Sequence, residues 1–352
     1  SPDLRIHPGG HFFLPIVEGL DREKYEVHCY YNHIVRDEWT MRFERSADYF
    51  HQVAHWSDDQ LVDRIKSDNI DILLEGAGHM SGNRLLAVAQ RPAPVQVAWP
   101  LYPNTTGLTA IDYRVLDKHT ALPSADEFCT EKIIRLPQTH FCYRPLERDI
   151  LPATDLPVNS NGYVTFGSFN NAIKLNNLTV ETWARILIAV PNSRLILKWL
   201  EFDKAGSSKI LDRFEKLGID PTRIERQGWA EDPYTPYQQI DVCLDPILAS
   251  GGTTTCDALW MGVPVITYAG DSVFSRTGLM HMSNIGLPDL IATGVDQYVE
   301  IAGNLATDIQ HLTNIRLGLR KRMQQSPIMD EAAYCGHLDK EFRKIWRHWC
   351  EA

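Results

Sequence analysis

The chain has 352 residues, more than one hydrophobic core ordinarily holds, so two domains are expected. Its apolar content of 44% and charged content of 23% are those of a globular protein, and the net charge of −10 argues against a nucleic-acid backbone or an anionic membrane as the main partner. No apolar run is long enough to span a bilayer, and no signal-peptide pattern opens the chain. Seven scattered cysteines without Cys-x-x-Cys fit a reducing cytoplasm better than a disulfide framework or a zinc site. No Asp-x-Asp occurs, and metal dependence is not expected.

A Pro- and Gly-rich opening, Ser1 to His11, leads into an apolar helix over Phe12 to Leu20. An α/β domain normally starts with a strand, so residues upstream of Ser1 are expected. Strands are then expected at Tyr25 to Tyr31, Ala47 to Val53, Ile70 to Glu75, Val95 to Trp99 and Ile111 to Leu116. Helices at Asp59 to Ser67 and Asn83 to Gln90 alternate with them, the pattern of a parallel, doubly wound sheet. Pro145 to Gly162 lacks periodicity and reads as a linker. The pattern restarts with strands at Tyr163 to Phe169, Arg194 to Trp199, Ile240 to Leu244 and Val263 to Tyr268. Helices at Leu178 to Val190, Lys209 to Leu217 and Thr254 to Met261 lie between them. Ala332 to Cys350 carries Leu338, Phe342, Ile345, Trp346 and Trp349 on one helical stripe. The expected domains are therefore residues 1–150, residues 151–330, and a closing helix over 331–352 that returns to the first domain. Two such halves make a cleft, and open α/β sheets bind ligands at the carboxyl ends of their strands.

The densest candidate for chemistry is Ser250-Gly251-Gly252-Thr253-Thr254-Thr255-Cys256-Asp257, which follows a strand and opens a helix. Two glycines allow close backbone approach, three hydroxyls line the first turn, and a helix N-terminus there attracts phosphate. Asp257 stands where a carboxylate reaches ribose hydroxyls; the bland alternative is a capping box of Thr254 and Asp257. Gly76-Ala77-Gly78-His79-Met80-Ser81-Gly82 is one residue too long between its last glycines for a dinucleotide fingerprint. It reads instead as a tight strand-to-helix turn at the cleft rim, with His79 pointing into the cleft. Lys174, in the loop Phe166 to Lys174 before a helix, is placed to neutralise a phosphate, or else is a solvated loop lysine. His7 stands alone beside Pro and Gly, and Trp183, Trp260, Trp346 and Trp349 read as packing.

Together these segments resemble the catalytic region of the O-GlcNAc transferase family, the nucleocytoplasmic protein glycosyltransferases. The resemblance rests on an ordered series: His7-Pro8-Gly9-Gly10-His11, Gly78 to Arg84, Arg91-Pro92-Ala93-Pro94-Val95-Gln96, Tyr102-Pro103-Asn104-Thr105-Thr106-Gly107, Phe166 to Asn171, Trp183 to Leu187, Gly251 to Pro264, and Ser275-Arg276. It implies a GT-B fold of two Rossmann-like domains facing a cleft, a nucleotide-sugar donor (UDP-GlcNAc foremost), and metal-independent inverting transfer to serine or threonine of a protein. It implies donor contacts from Asn171, Lys174, Gly228, Gly252, Thr253, Thr254, Thr255 and Asp257, with Lys174 on the diphosphate. His7, at the sugar and acceptor end, competes with the donor's own phosphate as base, and His79 joins the catalytic set. Members usually carry tetratricopeptide repeats upstream that choose the acceptor, and this chain has none.

Three positions depart from the family pattern. Gly252 stands where animal members have a histidine, and Pro233 where a histidine stacks on uracil, with Tyr234 or Tyr237 as substitutes. Pro100-Leu101-Tyr102-Pro103 puts a leucine where glycine leaves room near the sugar. The rivals are a Spindly-type O-fucosyltransferase using GDP-fucose, a donor-binding pseudoenzyme, and a nucleotide-sugar epimerase of similar fold.

Overall fold

The computed structural model describes residues 1–99, 101–200, 202 and 209–352. Pro100, and with it part of the Pro100 to Pro103 departure, lies outside the described residues. The chain divides into two compact units, residues 1–146 with 327–352, and residues 147–326. The division thus falls at Leu146 and at Ser326, a few residues before the expected boundaries at 150 and 330.

The first unit runs α1 (Gly10–Gly19), β1 (His28–Tyr31), α2 (Glu38–Ser46), β2 (Tyr49–Gln52), α3 (Asp58–Ser67), β3 (Ile72–Glu75), α4 (Leu85–Val88), β4 (Val95–Ala98), β5 (Tyr113–Asp117) and β6 (Lys132–Leu136). Its strands form two parallel ladders, β1-β2 and β3-β4-β5-β6. The helices start where side chains supply the missing acceptors. Ser57 Oγ accepts from Gln60 N at 3.2 Å while Gln60 Oε1 accepts from Ser57 N at 2.9 Å, a reciprocal cap that begins α3. Asp37 and Thr40 do the same for α2. The helix expected over Asn83 to Gln90 is shorter, because Gly82 and Asn83 belong to the preceding turn.

The second unit runs α5 (Pro157–Asn161), β7 (Thr165–Ser168), α6 (Asn177–Ala189), β8 (Arg194–Lys198), α7 (Lys209–Glu215), β9 (Ile224–Gln227), β10 (Val242–Leu244), α8 (Thr253–Trp260), β11 (Val265–Tyr268), α9 (Thr277–Asn284), β12 (Ile291–Ala292), α10 (Val295–Thr307) and α11 (Ile309–Gln324). Its six strands are all parallel in the order β12-β11-β10-β7-β8-β9. Every residue of β7 is buried, as expected for a central strand covered on both faces, and Phe166 and Trp183 have no exposed surface. The chain order reverses between β7 and β10, and loops that leave these two strands at their carboxyl ends diverge to opposite faces.

The chain ends in α12 (Glu331–Glu351), which belongs to the first unit. Its apolar stripe explains why: Leu338, Phe342 and Ile345 are buried, and Cys335 Sγ reaches Pro15 O of α1 at 3.6 Å. Tyr334 OH accepts from Trp99 Nε1 at 3.0 Å and donates to His140 O at 2.8 Å, so a buried phenol is satisfied on both sides. Among the described residues, no helix is long and apolar enough to cross a membrane.

Candidate active site

The carboxyl edge of the six-stranded sheet gathers most of the polar residues singled out above. After β7 the chain makes a short turn in which Asn171 Oδ1 accepts from Ile173 N at 3.0 Å. Asn176 then caps α6, accepting from Thr179 N at 2.8 Å while its Nδ2 donates to Ile247 O at 2.8 Å. That second bond ties the loop after β7 to the loop after β10. Lys174, between the turn and the cap, is therefore held rather than solvated. Its Nζ donates to Ser250 O at 2.8 Å and to Asn170 Oδ1 at 3.3 Å. Thr254 Oγ1 donates to the same Asn170 oxygen at 3.0 Å, so one amide joins the lysine to the first turn of α8.

Below them Asp245 is fully buried at the end of β10. Its Oδ1 accepts from Gly251 N at 2.6 Å and its Oδ2 from Thr267 Oγ1 at 2.7 Å. Burial pushes its carboxyl up to about 6, against the pull of those two bonds and of the Lys174 ammonium. The same burial holds Lys174 below the ordinary lysine range, with Asp245 opposing it. The result is a cation stiffly positioned beside a helix N-terminus, which itself carries partial positive charge. An anion placed there meets charge that needs no reorganisation.

Gly251 is required by space. A Cβ there would lie 2.5 Å from Thr255 Oγ1, 2.7 Å from Thr254 Oγ1 and 3.2 Å from Asn170 Oδ1. At Gly252 an added Cβ would meet nothing within 4 Å, so this neighbour faces open space. The capping box of Thr254 and Asp257 does not form: Gly252 is the N-cap, no side chain caps α8, and Thr254 is already inside the helix. Thr253 and Thr254 stay partly exposed, whereas Thr255 is buried and forms the floor under Gly251. Asp257 is half-buried, and its charge acts on Lys198 at the end of β8. Burial lowers the Lys198 ammonium, and Asp257 and Asp232 raise it in return. Gly228 directly follows β9 on the same carboxyl edge.

The tyrosines proposed as stacking substitutes are turned inward. Tyr234 and Tyr237 are 1% and 2% exposed, and Tyr237 packs on Phe169 with its hydroxyl donating to Thr254 O at 3.1 Å. The aromatic exposed at this edge is Trp229, immediately after Gly228. Asp245, Lys198 and Trp229 are not singled out by the sequence, and Asn170 appears there only as one of two amides in its loop. The visible signals were an acidic residue closing an apolar strand and a lysine closing another.

In the first unit the candidates are two histidine-bearing loops. His7 Nδ1 lies 3.0 Å from Asp3 Oδ1 and accepts from Gly9 N at 3.1 Å. Burial lowers the His7 imidazole while the Asp3 carboxylate raises it. Nδ1 thus faces both an N–H donor and a carboxylate, and Nε2 carries the lone pair a general base requires in the tautomer whose Nδ1 proton goes to Asp3. His11, four residues on, is different: it is buried, bonded through Nδ1 to Arg144 O at 2.6 Å, and lowered by burial to about 4.

His79 sits in the turn after β3. There Glu75, itself buried, accepts from Ala77 N at 2.9 Å and Gly78 N at 2.8 Å. Gly78 adopts φ +51°, and a Cβ on it would lie 2.3 Å from Tyr102. The His79 ring is exposed, its Nε2 is 2.8 Å from Thr106 O, and its edge faces Tyr102 at 5.3 Å. Thr106 is fixed in turn by Glu131, which accepts from its backbone N at 2.7 Å. Leu101 Cδ1 would lie 2.6 Å from a Cβ added at Gly9, so consecutive residues Leu101 and Tyr102 touch the two histidine loops.

The sequence model of glycosyl transferase family 41 matches residues 1–145 and 154–338. The chain belongs to glycosyl transferase family 41. It is 36% identical over its whole length to the protein of Petunia hybrida named as a probable UDP-N-acetylglucosamine–peptide N-acetylglucosaminyltransferase SPINDLY, and spans 38% of that relative. A solved mutant of the Thermobaculum terrenum O-GlcNAc transferase superposes with a TM-score of 0.93 at 34% identity, covering 100% of this chain and 67% of that one. Sucrose-phosphate synthase from Thermosynechococcus elongatus matches in fold alone, with a TM-score of 0.63 at 12% identity over 95% of this chain and 92% of its own. The family 41 chain is thus a GT-B glycosyltransferase fold of the α/β class with parallel sheets.

Proposed function

We propose that this chain is the catalytic region of an inverting protein O-glycosyltransferase, moving GlcNAc from UDP-GlcNAc to serine or threonine hydroxyls. The observation that carries the reading is the meeting of Lys174, Asn170 and Thr254 with the start of α8 at the switch point of the six-stranded sheet. The printed activities of the Petunia and Thermobaculum relatives support the donor and the protein acceptor.

In the reaction the acceptor oxygen bonds to the anomeric carbon as the bond from that carbon to the UDP oxygen breaks. The electron pair leaves with UDP, and the hydroxyl proton passes to a base. Negative charge grows on the diphosphate, where Lys174 neutralises it and Gly252, Thr253 and Thr254 surround it. Thr255 supports the glycine beneath the phosphates. Asp257 takes the ribose, and Asn171 and Gly228 complete the donor contacts. In the first unit His7, oriented by Asp3, is the protein's own candidate base, and His79 is the second catalytic histidine. The donor is a co-substrate, no cofactor is invoked, and the proposed compartment is the cytoplasm.

Transfer of fucose from GDP-fucose is a second reading, favoured by one observation. Pro233 has no aromatic ring, and the rings of Tyr234 and Tyr237 are buried, so none of the three offers uracil an exposed aromatic face. A thermal-shift titration with UDP, GDP, UDP-GlcNAc and GDP-fucose separates the two. Selective stabilisation by the uridine ligands is the expected result. Stabilisation by the guanosine ligands alone moves the fucose reading to first place, and no response to any of the four overturns the donor site.

A further inference from the structure

Outside the candidate site, β1, β2 and the end of α3 bring two histidines and a carboxylate together. The parallel register pairs His28 with Tyr49 and Tyr30 with His51, so these four side chains share one face of the ladder. His28 stacks on Tyr49 at 4.5 Å and Tyr30 on His51 at 5.0 Å, which fixes the planes of both imidazoles. Asp68, the C-cap of α3, reaches this face. Its Oδ2 lies 3.3 Å from His51 Nε2 and 3.7 Å from His28 Nδ1, and one ligand atom from each residue falls within 4.8 Å of the others. The His28, His51 and Asp68 side chains are only 7%, 11% and 10% exposed.

Neither His28 Nδ1 nor His51 Nε2 has a hydrogen-bond partner, although both are buried and aimed at the same carboxylate oxygen. A packed aromatic ladder does not need two unbonded nitrogens converging on one oxygen. Moreover, the other nitrogen of His28, Nε2, meets Glu26 Oε1 at 2.8 Å. That bond places the proton on Nε2 and the lone pair on Nδ1, the arrangement by which an outer carboxylate orients a ligating histidine. Asp68 Oδ2 also accepts from Tyr30 OH at 2.7 Å. A tetrahedral ion bound at about 2.0–2.1 Å separates its N and O ligands by roughly 3.3 Å, close to the spacing found. His28 and Asp68 also line a cavity of about 370 Å³.

We propose that His28 Nδ1, His51 Nε2 and Asp68 Oδ2 form a three-ligand site for Zn²⁺, with water completing the shell. Two imidazoles and one carboxylate form a donor set suited to zinc and its first-row neighbours. The ion would clamp β1, β2 and α3 together. Arg64, which donates to Asp68 at 2.9 Å, is the cation it must share the carboxylate with.

The test uses the whole chain, stripped with a chelator and titrated with Co²⁺ and Zn²⁺. The expected result is one Co²⁺ per chain with the intense visible absorption of a tetrahedral site, displaced by Zn²⁺, and a Zn²⁺-dependent rise in melting temperature. His51→Ala should weaken binding by roughly a hundredfold and abolish the rise, and Glu26→Gln, which keeps all three ligands, by roughly tenfold. His348→Ala, in the exposed tail, should change neither reading. Circular dichroism checks the fold of each variant, and Glu26→Gln carries the test if His51→Ala does not fold. Failure of the wild type to bind one ion, or undiminished binding by the folded variants, overturns the site.

Discussion

The two units hold their candidate residues in opposite ways. At the carboxyl edge of the second unit's sheet the polar groups interlock: Lys174, Asn170, Ser250 and Thr254 bond to one another, over a buried Asp245 that anchors Gly251. In the first unit each candidate histidine is held through one nitrogen, His7 Nδ1 by Asp3 and Gly9 N, and His79 Nε2 by Thr106 O. An interlocked set presents fixed charge, as a site that stabilises a leaving diphosphate needs. An imidazole held through one nitrogen keeps the other available for proton transfer, as a base needs. The contrast predicts that damage to the second unit removes binding and chemistry together, while damage to the first spares binding.

The sharpest way to break the contrast is Lys174→Ala. It should lower kcat by roughly 10²–10³, the scale of losing one preorganised electrostatic contact, with a circular dichroism spectrum like that of the wild type. His7→Ala should lower kcat by roughly 10² with UDP affinity unchanged. The wild-type acid limb of kcat/KM should lie below the ordinary imidazole value, because burial lowers His7 and the base stays deprotonated further into acid. An acid limb that survives in His7→Ala assigns the base elsewhere.

Gly251→Ala should cost about 1–3 kcal/mol in denaturant unfolding, since its Cβ cannot fit without moving Thr254 and Thr255. Asp245 gives a subtler signature. Its folded value of about 6 lies above the unfolded value of 3.8, so its stabilisation is fully present below 3.8 and is lost as pH rises through 6. On lowering the pH from 7 to 5, wild type should gain stability relative to Asp245→Asn, by on the order of 1 kcal/mol per pH unit once below 6. A constant difference across that range would mean that Asp245 titrates normally. Smallest of all, Gly252→Ala should leave stability within about 0.5 kcal/mol, because its Cβ meets open space. Its donor affinity should nevertheless fall, which separates a glycine needed by the fold from one needed by a ligand.

Much of the fold was legible because burial imposes period on sequence. The wholly apolar run of β10, the alternation of strands with helices and the stripe on α12 all reappear. Some missed elements bury little: α2 hides only Trp39, Thr40 and Phe43 among charged residues, and the ends of β6 are Lys132 and Leu136 around an exposed Arg135; α10 and α11 were missed although Tyr298, Ala302, Leu312 and Leu319 are buried. Lys174 and Thr254 were legible from their places in strand-to-helix loops. Asp245, and the bridging role of Asn170, were not, because they arise only when β7 and β10 become neighbours, joining Lys174 to Ser250 across 76 residues of sequence. The expected cap at Thr254 failed for a related reason, since Asn170 takes the hydroxyl that local sequence would spend on the helix. His28, His51 and Asp68 are separated in sequence by α2 and α3, and the β1-β2 register with the end of α3 unites them.

The most direct measurement is calorimetric titration of UDP and GDP into the wild type and Lys174→Ala. The account predicts that the wild type binds at least one of the two and that Lys174→Ala binds it roughly tenfold to a hundredfold more weakly, the loss of one charge-assisted contact to phosphate. Equal affinities in the two proteins would contradict it, because the diphosphate would then rest somewhere other than beside Lys174 and the start of α8.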